Sequence, residues 1–144
     1  MPDAPSAVSV HTGGCLCGAV RFSAPDVPET FSVCHCSMCR TWAGGPLLAV
    51  HLTGPVTFTG TENITTYRSS AWAERGFCKI CGSSLFYRFI EDDSYVITLG
   101  TFDDQAAFTM KAQIFIDEKP PGYTFANDVP VMTGAEVFAK YAGN

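Results

Sequence analysis

The chain has 144 residues, 47% of them hydrophobic, and a formal net charge of −5 from nine Lys and Arg against fourteen Asp and Glu. That length suffices for one domain with a real core, while the few, scattered basic residues form no stripe able to neutralise a phosphate backbone and so argue against a nucleic-acid partner. No apolar run approaches the roughly 18–20 residues of a membrane span, and the start MPDAPSAVSV lacks both the basic and the apolar region of a secretory signal; the expectation is a cytoplasmic protein with no membrane association.

Residues 1–9 are small, Pro-containing and without period, and read as a flexible N-terminal arm; residues 10–144 read as a single domain. Short β-branched or aromatic segments then recur at residues 19–23, 47–50, 56–58, 64–67, 84–89, 95–99 and 113–116, separated by Gly, Pro, Asn or Asp. The pattern predicts an all-β fold with few short helices. Two helices are expected, one near Met38 to Ala43 and one over Ala135 to Tyr141, where Val137, Phe138 and Tyr141 share a face. Pro120-Pro121-Gly122 stops the strand expected to end at Asp117 and forces a loop able to border a site. Trp42 and Trp72 are expected in the core, and Glu91-Asp92-Asp93 reads as a hydrated turn.

The chemistry is carried by seven cysteines, an odd number in a chain without an export signal. A reducing compartment keeps such thiols unpaired, so metal ligation is the first expectation. They fall into three clusters: Cys15-Leu16-Cys17, Cys34-His35-Cys36-Ser37-Met38-Cys39 and Cys78-Lys79-Ile80-Cys81. A C-x-x-C followed by Gly, as at Cys78 to Gly82, is a zinc-knuckle turn that aims both thiolates at one point. A C-x-C needs a bend to converge, which Gly13, Gly14 and Gly18 permit. Structural zinc takes four ligands, so Cys15, Cys17, Cys78 and Cys81 make one closed site. Cys34, Cys36 and Cys39 then hold a second zinc on three sides, the arrangement expected of a catalytic site with an open position. His35, His11 or His51 could instead supply the fourth ligand and close a second structural site; an iron–sulfur cluster is a minor alternative, since neither ferredoxin spacing matches.

At these residues the chain resembles the glutathione-dependent formaldehyde-activating enzyme family, also called the GFA or centromere protein V family. The resemblance runs from Gly14 to Phe22, through Cys34 to Arg40, to Arg75 to Leu85, and ends weakly at Ile114 to Pro121. It implies a domain of several small, strongly bent antiparallel sheets stapled by zinc. It implies two zinc ions per chain, a structural one on the first and last motifs and an active-site one on the middle motif. The family's named activity joins glutathione to formaldehyde to give S-(hydroxymethyl)glutathione, a carbon–sulfur lyase reaction read backwards, so a small thiol such as glutathione is the implied partner. Where many relatives have a His and, after the proline loop, a Trp, this chain has Gln113 and Gly122.

Three thiolates on a zinc dication leave a net negative centre, a poor acid for activating water and better suited to a substrate thiol, whose pKa the metal would lower before it adds to a carbonyl carbon. The competing reading, from another class, is a non-enzymatic zinc module whose histidine-closed second site serves protein–protein contact. Arg40 could meet a substrate carboxylate or offset the zinc–thiolate charge. Arg75 and Lys79 flank the knuckle, where a solvated surface is the plainer reading. His35 reads equally as proton shuttle, ligand or packed side chain.

Overall fold

The structure, a computed structural model, describes residues 8–142. Strand β1 (Val8–Gly14) pairs antiparallel with β2 (Arg21–Pro28), in which Phe22, Ala24 and Val27 turn inward. β2 in turn pairs with β5 (Thr57–Thr59), completing a three-stranded sheet. The second sheet has eight strands in the order β11 (Val131–Met132), β10 (Thr109–Ile114), β3 (Thr30–Cys34), β4 (Leu47–His51), β9 (Ser94–Thr98), β8 (Ser84–Phe89), β7 (Ala73–Cys78) and β6 (Ile64–Arg68). Helix α1 (Ser37–Ala43) follows β3, and α2 (Gly134–Ala142) follows β11. The result is a mixed α/β fold with two β-sheets and few short helices. No helix among the described residues is long and apolar enough to cross a membrane.

The main core is built from inward-facing strand residues, among them Val27, Val50, Leu85 and Ile97, from Val20 just before β2, and from an aromatic column. Phe22 meets Phe102 edge-on at 5.2 Å between ring centroids, and Phe102 meets Phe108 at 4.8 Å, arrangements that add to the burial energy of such rings. A smaller second core of Cys39, Leu47, Ala49 and Val96, flanked by Trp42, Tyr87 and Phe89, lies under α1.

Several expectations change. In place of several small sheets there is one extended eight-stranded sheet and one small one. Pairing is not wholly antiparallel: β10 runs parallel to both β3 and β11, possible because a long stretch of chain separates β3 from β10 and supplies the crossover that parallel strands require. The expected arm at 1–9 is partly strand, since β1 begins at Val8; residues 1–7 lie outside the described residues. The strand before the proline loop ends at Ile114, where Phe115 adopts a left-handed backbone (φ 55°) and opens a 3-10 turn over Ile116–Glu118. Trp72 is not core: it is 48% exposed, its indole N–H donating to the Tyr87 hydroxyl at 3.0 Å, so the polar edge is satisfied at the surface. On α2, Val137 is buried but Phe138 stays exposed, its ring edge-on to Phe115 and Trp72; the side chain of Tyr141 lies outside the described residues. Glu91-Asp92-Asp93 is a turn, pinned by Asp92 to Ser94 and by Arg88 to Asp93.

One strand contact fixes the position of the site residues that follow. Gly76 of β7 faces Phe86 of β8 across the ladder, and a β-carbon added at Gly76 would lie 2.2 Å from the Phe86 ring. The ring fills the space a side chain would take. Gly76→Ala is therefore expected to destabilise the protein by about 1–3 kcal/mol, read as a lower urea midpoint with unchanged slope; an unchanged midpoint contradicts this packing.

Candidate functional site

The four-cysteine group forms where the loop after β1 meets the end of β7. Cys15 opens a tight loop in which its backbone N–H donates to Val20 O at 3.0 Å, while the Val20 N–H donates back to Cys15 Sγ at 3.3 Å. Cys78 ends β7 and begins a matching turn: Ile80 and Cys81 direct their N–H groups at Cys78 Sγ, at 3.4 and 3.5 Å. Each turn closes on a glycine with positive φ, Gly18 (83°) and Gly82 (78°), a conformation that residues with a β-carbon rarely adopt. Ser83 joins the two turns, its hydroxyl accepting from the Leu16 N–H at 3.0 Å and lying 3.2 Å from Cys81 Sγ. The hydrogen bonds of the Ser83 hydroxyl and backbone hold the Cys81 thiol low, at about 5.

All four sulfurs lie within 4.8 Å of one another. Cys15 Sγ is 3.7 Å from Cys17 Sγ, and Cys17 Sγ is 3.8 Å from Cys78 Sγ. A disulfide needs a sulfur–sulfur distance of about 2.0 Å, whereas a tetrahedron with zinc–sulfur bonds of about 2.3 Å places its sulfurs about 3.8 Å apart. The spacing fits a thiolate-bound metal.

The second group forms at the start of α1. Cys34 ends β3, Cys36 caps α1 by accepting the Cys39 N–H at 3.3 Å, and Cys39 lies on the helix face turned to the second core. These three sulfurs also lie within 4.8 Å of one another. Hydrogen bonding from Cys34 and then Cys39 holds the Cys36 thiol low, at about 2, and the same contacts push Cys34 far above its usual range. One negative charge is favoured here and a second is opposed, the condition that a divalent cation relieves.

No histidine joins either group among the described residues. His11 bonds Glu29 at 2.7 Å and packs on Phe102 and Phe108. His51 lies against Phe89. His35, fully buried between Cys34 and Cys36, has both ring nitrogens engaged: Nε2 with Gln113 Oε1 at 2.8 Å and Nδ1 with the Tyr123 hydroxyl at 2.9 Å.

The strongest departure concerns Arg75. It does not serve the knuckle beside it in sequence. It is buried, and both terminal guanidinium nitrogens reach Cys39 Sγ of the other group, at 3.7 and 3.8 Å. Its proximity to Cys78 hid this, and only the β7–β8 pairing with the placement of α1 reveals it. Arg40 donates from Nε to His35 O at 2.9 Å and lines an open cavity of about 650 Å³ with Gly44, Pro46, Pro120, Tyr123 and Phe125. The proline loop thus borders the cavity that Arg40 lines, and Lys119 braces it through the carbonyls of Pro120 and Tyr123.

Residues 10–118 match the family model described as glutathione-dependent formaldehyde-activating enzyme. The chain belongs to the GFA family. Among its relatives, an uncharacterized lyase of Schizosaccharomyces pombe is 37% identical over 128 residues, spanning 88% of this chain and 93% of the relative. A Halomonas elongata protein assigned by name to the glutathione-dependent formaldehyde-activating enzymes is 37% identical over 83 residues, spanning 51% of this chain and 53% of that protein. A crystal structure of a Rhodobacter sphaeroides protein shares the fold, with a TM-score of 0.50 and 22% identity over 83% of this chain and 98% of that one. All seven cysteines lie within the matched GFA segment.

Cys78→Ser removes the sulfur on which two backbone N–H groups converge. Protein made under reducing conditions with zinc present is expected to lose one metal ion per chain on this substitution and to unfold at lower denaturant; full metal content and parental stability would contradict the four-sulfur site.

Proposed function

We propose that this GFA-family chain is a zinc-dependent carbon–sulfur lyase-type enzyme acting on a small thiol adduct, with glutathione and formaldehyde as the reactants that the family suggests. The observation that carries the reading is the three-sulfur group of Cys34, Cys36 and Cys39, which gains no fourth protein ligand among the described residues; Arg40, the residue after Cys39 on α1, lines the neighbouring open cavity, although none of the three cysteines does. Cys15, Cys17, Cys78 and Cys81 hold a structural zinc in this reading, joining the loop after β1 to the end of β7. The competing histidine-closed module is disfavoured because His35, the histidine nearest in sequence, already spends both ring nitrogens on Gln113 and Tyr123.

In the overall reaction a sulfur–carbon bond forms, the carbonyl π electrons move to oxygen, and the proton lost by the thiol ends on that oxygen. Zinc bound by Cys34, Cys36 and Cys39 supplies the positive charge that lowers the pKa of the incoming thiol. The chain's own residues do the rest by placement. Cys36 is fixed by its cap on α1 and Cys34 by its place at the end of β3. Arg40 is held at one nitrogen by His35 O, and among the described residues no carboxylate pairs with it. Its guanidinium is the cationic group of a cavity otherwise lined by rings, prolines, glycines and Thr124, matched to the carboxylate of a thiol such as glutathione.

Adduct formation can be followed by exchange NMR with glutathione and formaldehyde. Cys36→Ser is expected to bring the rate to the uncatalysed level while the protein stays folded by circular dichroism; a parental rate would sink the proposal. For Arg40→Leu the apparent KM for glutathione should rise by roughly ten- to a hundredfold with a smaller change in kcat. An unchanged KM removes Arg40 from substrate binding.

A further inference from the structure

Arg75 occupies a place that sheet formation alone does not require. Its side chain is 3% exposed. Among the described residues no carboxylate pairs with it, and the adjacent Glu74 bonds instead with Arg88 at 2.8 Å. A buried cation without an anion is costly. Neutral groups meet part of that cost: the guanidinium carbon lies 5.1 Å from the Trp42 ring centroid and 5.0 Å from that of Tyr87, and Nε donates to Ser69 Oγ at 3.2 Å. Each terminal nitrogen also directs a donor at Cys39 Sγ. The fork of an arginine allows this while its guanidinium carbon stays close to both rings, a combination that a compact ammonium group does not reproduce.

We infer that Arg75 is the buried counter-cation of the three-cysteine centre, a positioning residue that neutralises charge on Cys39 and so sets how tightly the centre holds its metal. The inference rests on the reading that Cys34, Cys36 and Cys39 bind zinc. Three thiolates and a dication sum to −1, and a substrate thiolate would make −2; the positive charge of Arg75 brings these to 0 and −1 from inside the protein, where water cannot. The Trp72 indole, bonded to the Tyr87 hydroxyl, holds one wall of the slot in place.

The test is a chelator challenge of the zinc-loaded protein, counting zinc per chain by atomic emission for the parent, Arg75→Met and Arg75→Lys, with Cys36→Ser marking which release step belongs to the central site. The parent should release zinc in two steps. In Arg75→Met the central step is expected at a chelator concentration roughly ten- to a hundredfold lower, the worth of a charge-assisted hydrogen bond, with the other step unmoved. Arg75→Lys, which keeps the charge, should stay closer to the parent. An unmoved central step in Arg75→Met overturns the inference, and so does an equal shift in both variants, which would mean packing and not charge. If Arg75→Met fails to fold and loses both ions, Arg75→Lys decides alone: retention of both steps supports the role, and selective loss of the central ion rejects it. A parent that holds only one ion, or a Cys36→Ser variant that keeps two, refutes zinc binding by the three cysteines, and the inference falls with that reading.

Discussion

Thiols gathered within 4.8 Å of one another cannot all ionise without a cation among them, and this electrostatic constraint shapes the surrounding chain in both cysteine groups. The backbone answers it locally. N–H groups of Val20, Ile80 and Cys81 point at sulfur in the four-cysteine group, and that of Cys39 points at Cys36 in the other. Such donors spread the charge of one thiolate but do not balance three or four. Both groups are therefore capable of coordinating a metal ion, and on the proposed reading the local turn geometry, the helix capping and the burial of Arg75 serve to hold sulfur charge in place.

Strand β7 connects the two groups physically. Arg75 reaches the three-cysteine group, and Cys78, three residues later, belongs to the four-cysteine group. In a regular strand residues three apart point to opposite faces, and here the register also shifts between Gly76 and Phe77. The strand thus presents Arg75 to one sulfur group and Cys78 to the other, from opposite faces. Phe86, lying over Gly76, locks the register between them. On the proposed reading, metal at the four-cysteine group does more than staple remote loops, because it fixes the end of the strand whose middle supplies the counter-cation of the other group.

What could be seen in the sequence was what depends on short spacings. The C-x-C, C-x-C-x-x-C and C-x-x-C clusters and the glycines beside them describe their own turns, and the strand at Ser84–Phe89 has an uninterrupted aromatic and aliphatic run. Helix α1 was legible from the cysteine motif that precedes it. What stayed hidden depends on partners remote in the chain. β7 reads as charged and glycine-containing, and becomes a central strand only because Arg75 finds sulfur and aromatic rings and Gly76 finds Phe86. β3 and β10 pair in parallel across most of the chain length, and no local pattern announces that. Trp72, large and apolar, is kept at the surface by the hydroxyl of a residue on the neighbouring β8 strand.

His35 shows how a remote partner decides between chemical roles. Gln113 presents Oε1 to His35 Nε2. An amide oxygen only accepts, so Nε2 carries the proton, and in the neutral ring Nδ1 is left to accept from Tyr123. A proton entering this chain from Tyr123 would have no onward route, because the glutamine amide does not take it up. The row Tyr123–His35–Gln113 is thus a brace: it ties the proline loop to β10 and holds the backbone between Cys34 and Cys36 steady. A histidine so occupied is withdrawn from metal ligation, and among the described residues no other protein group joins the three sulfurs; on the proposed reading, that fourth side is where a substrate thiol would bind.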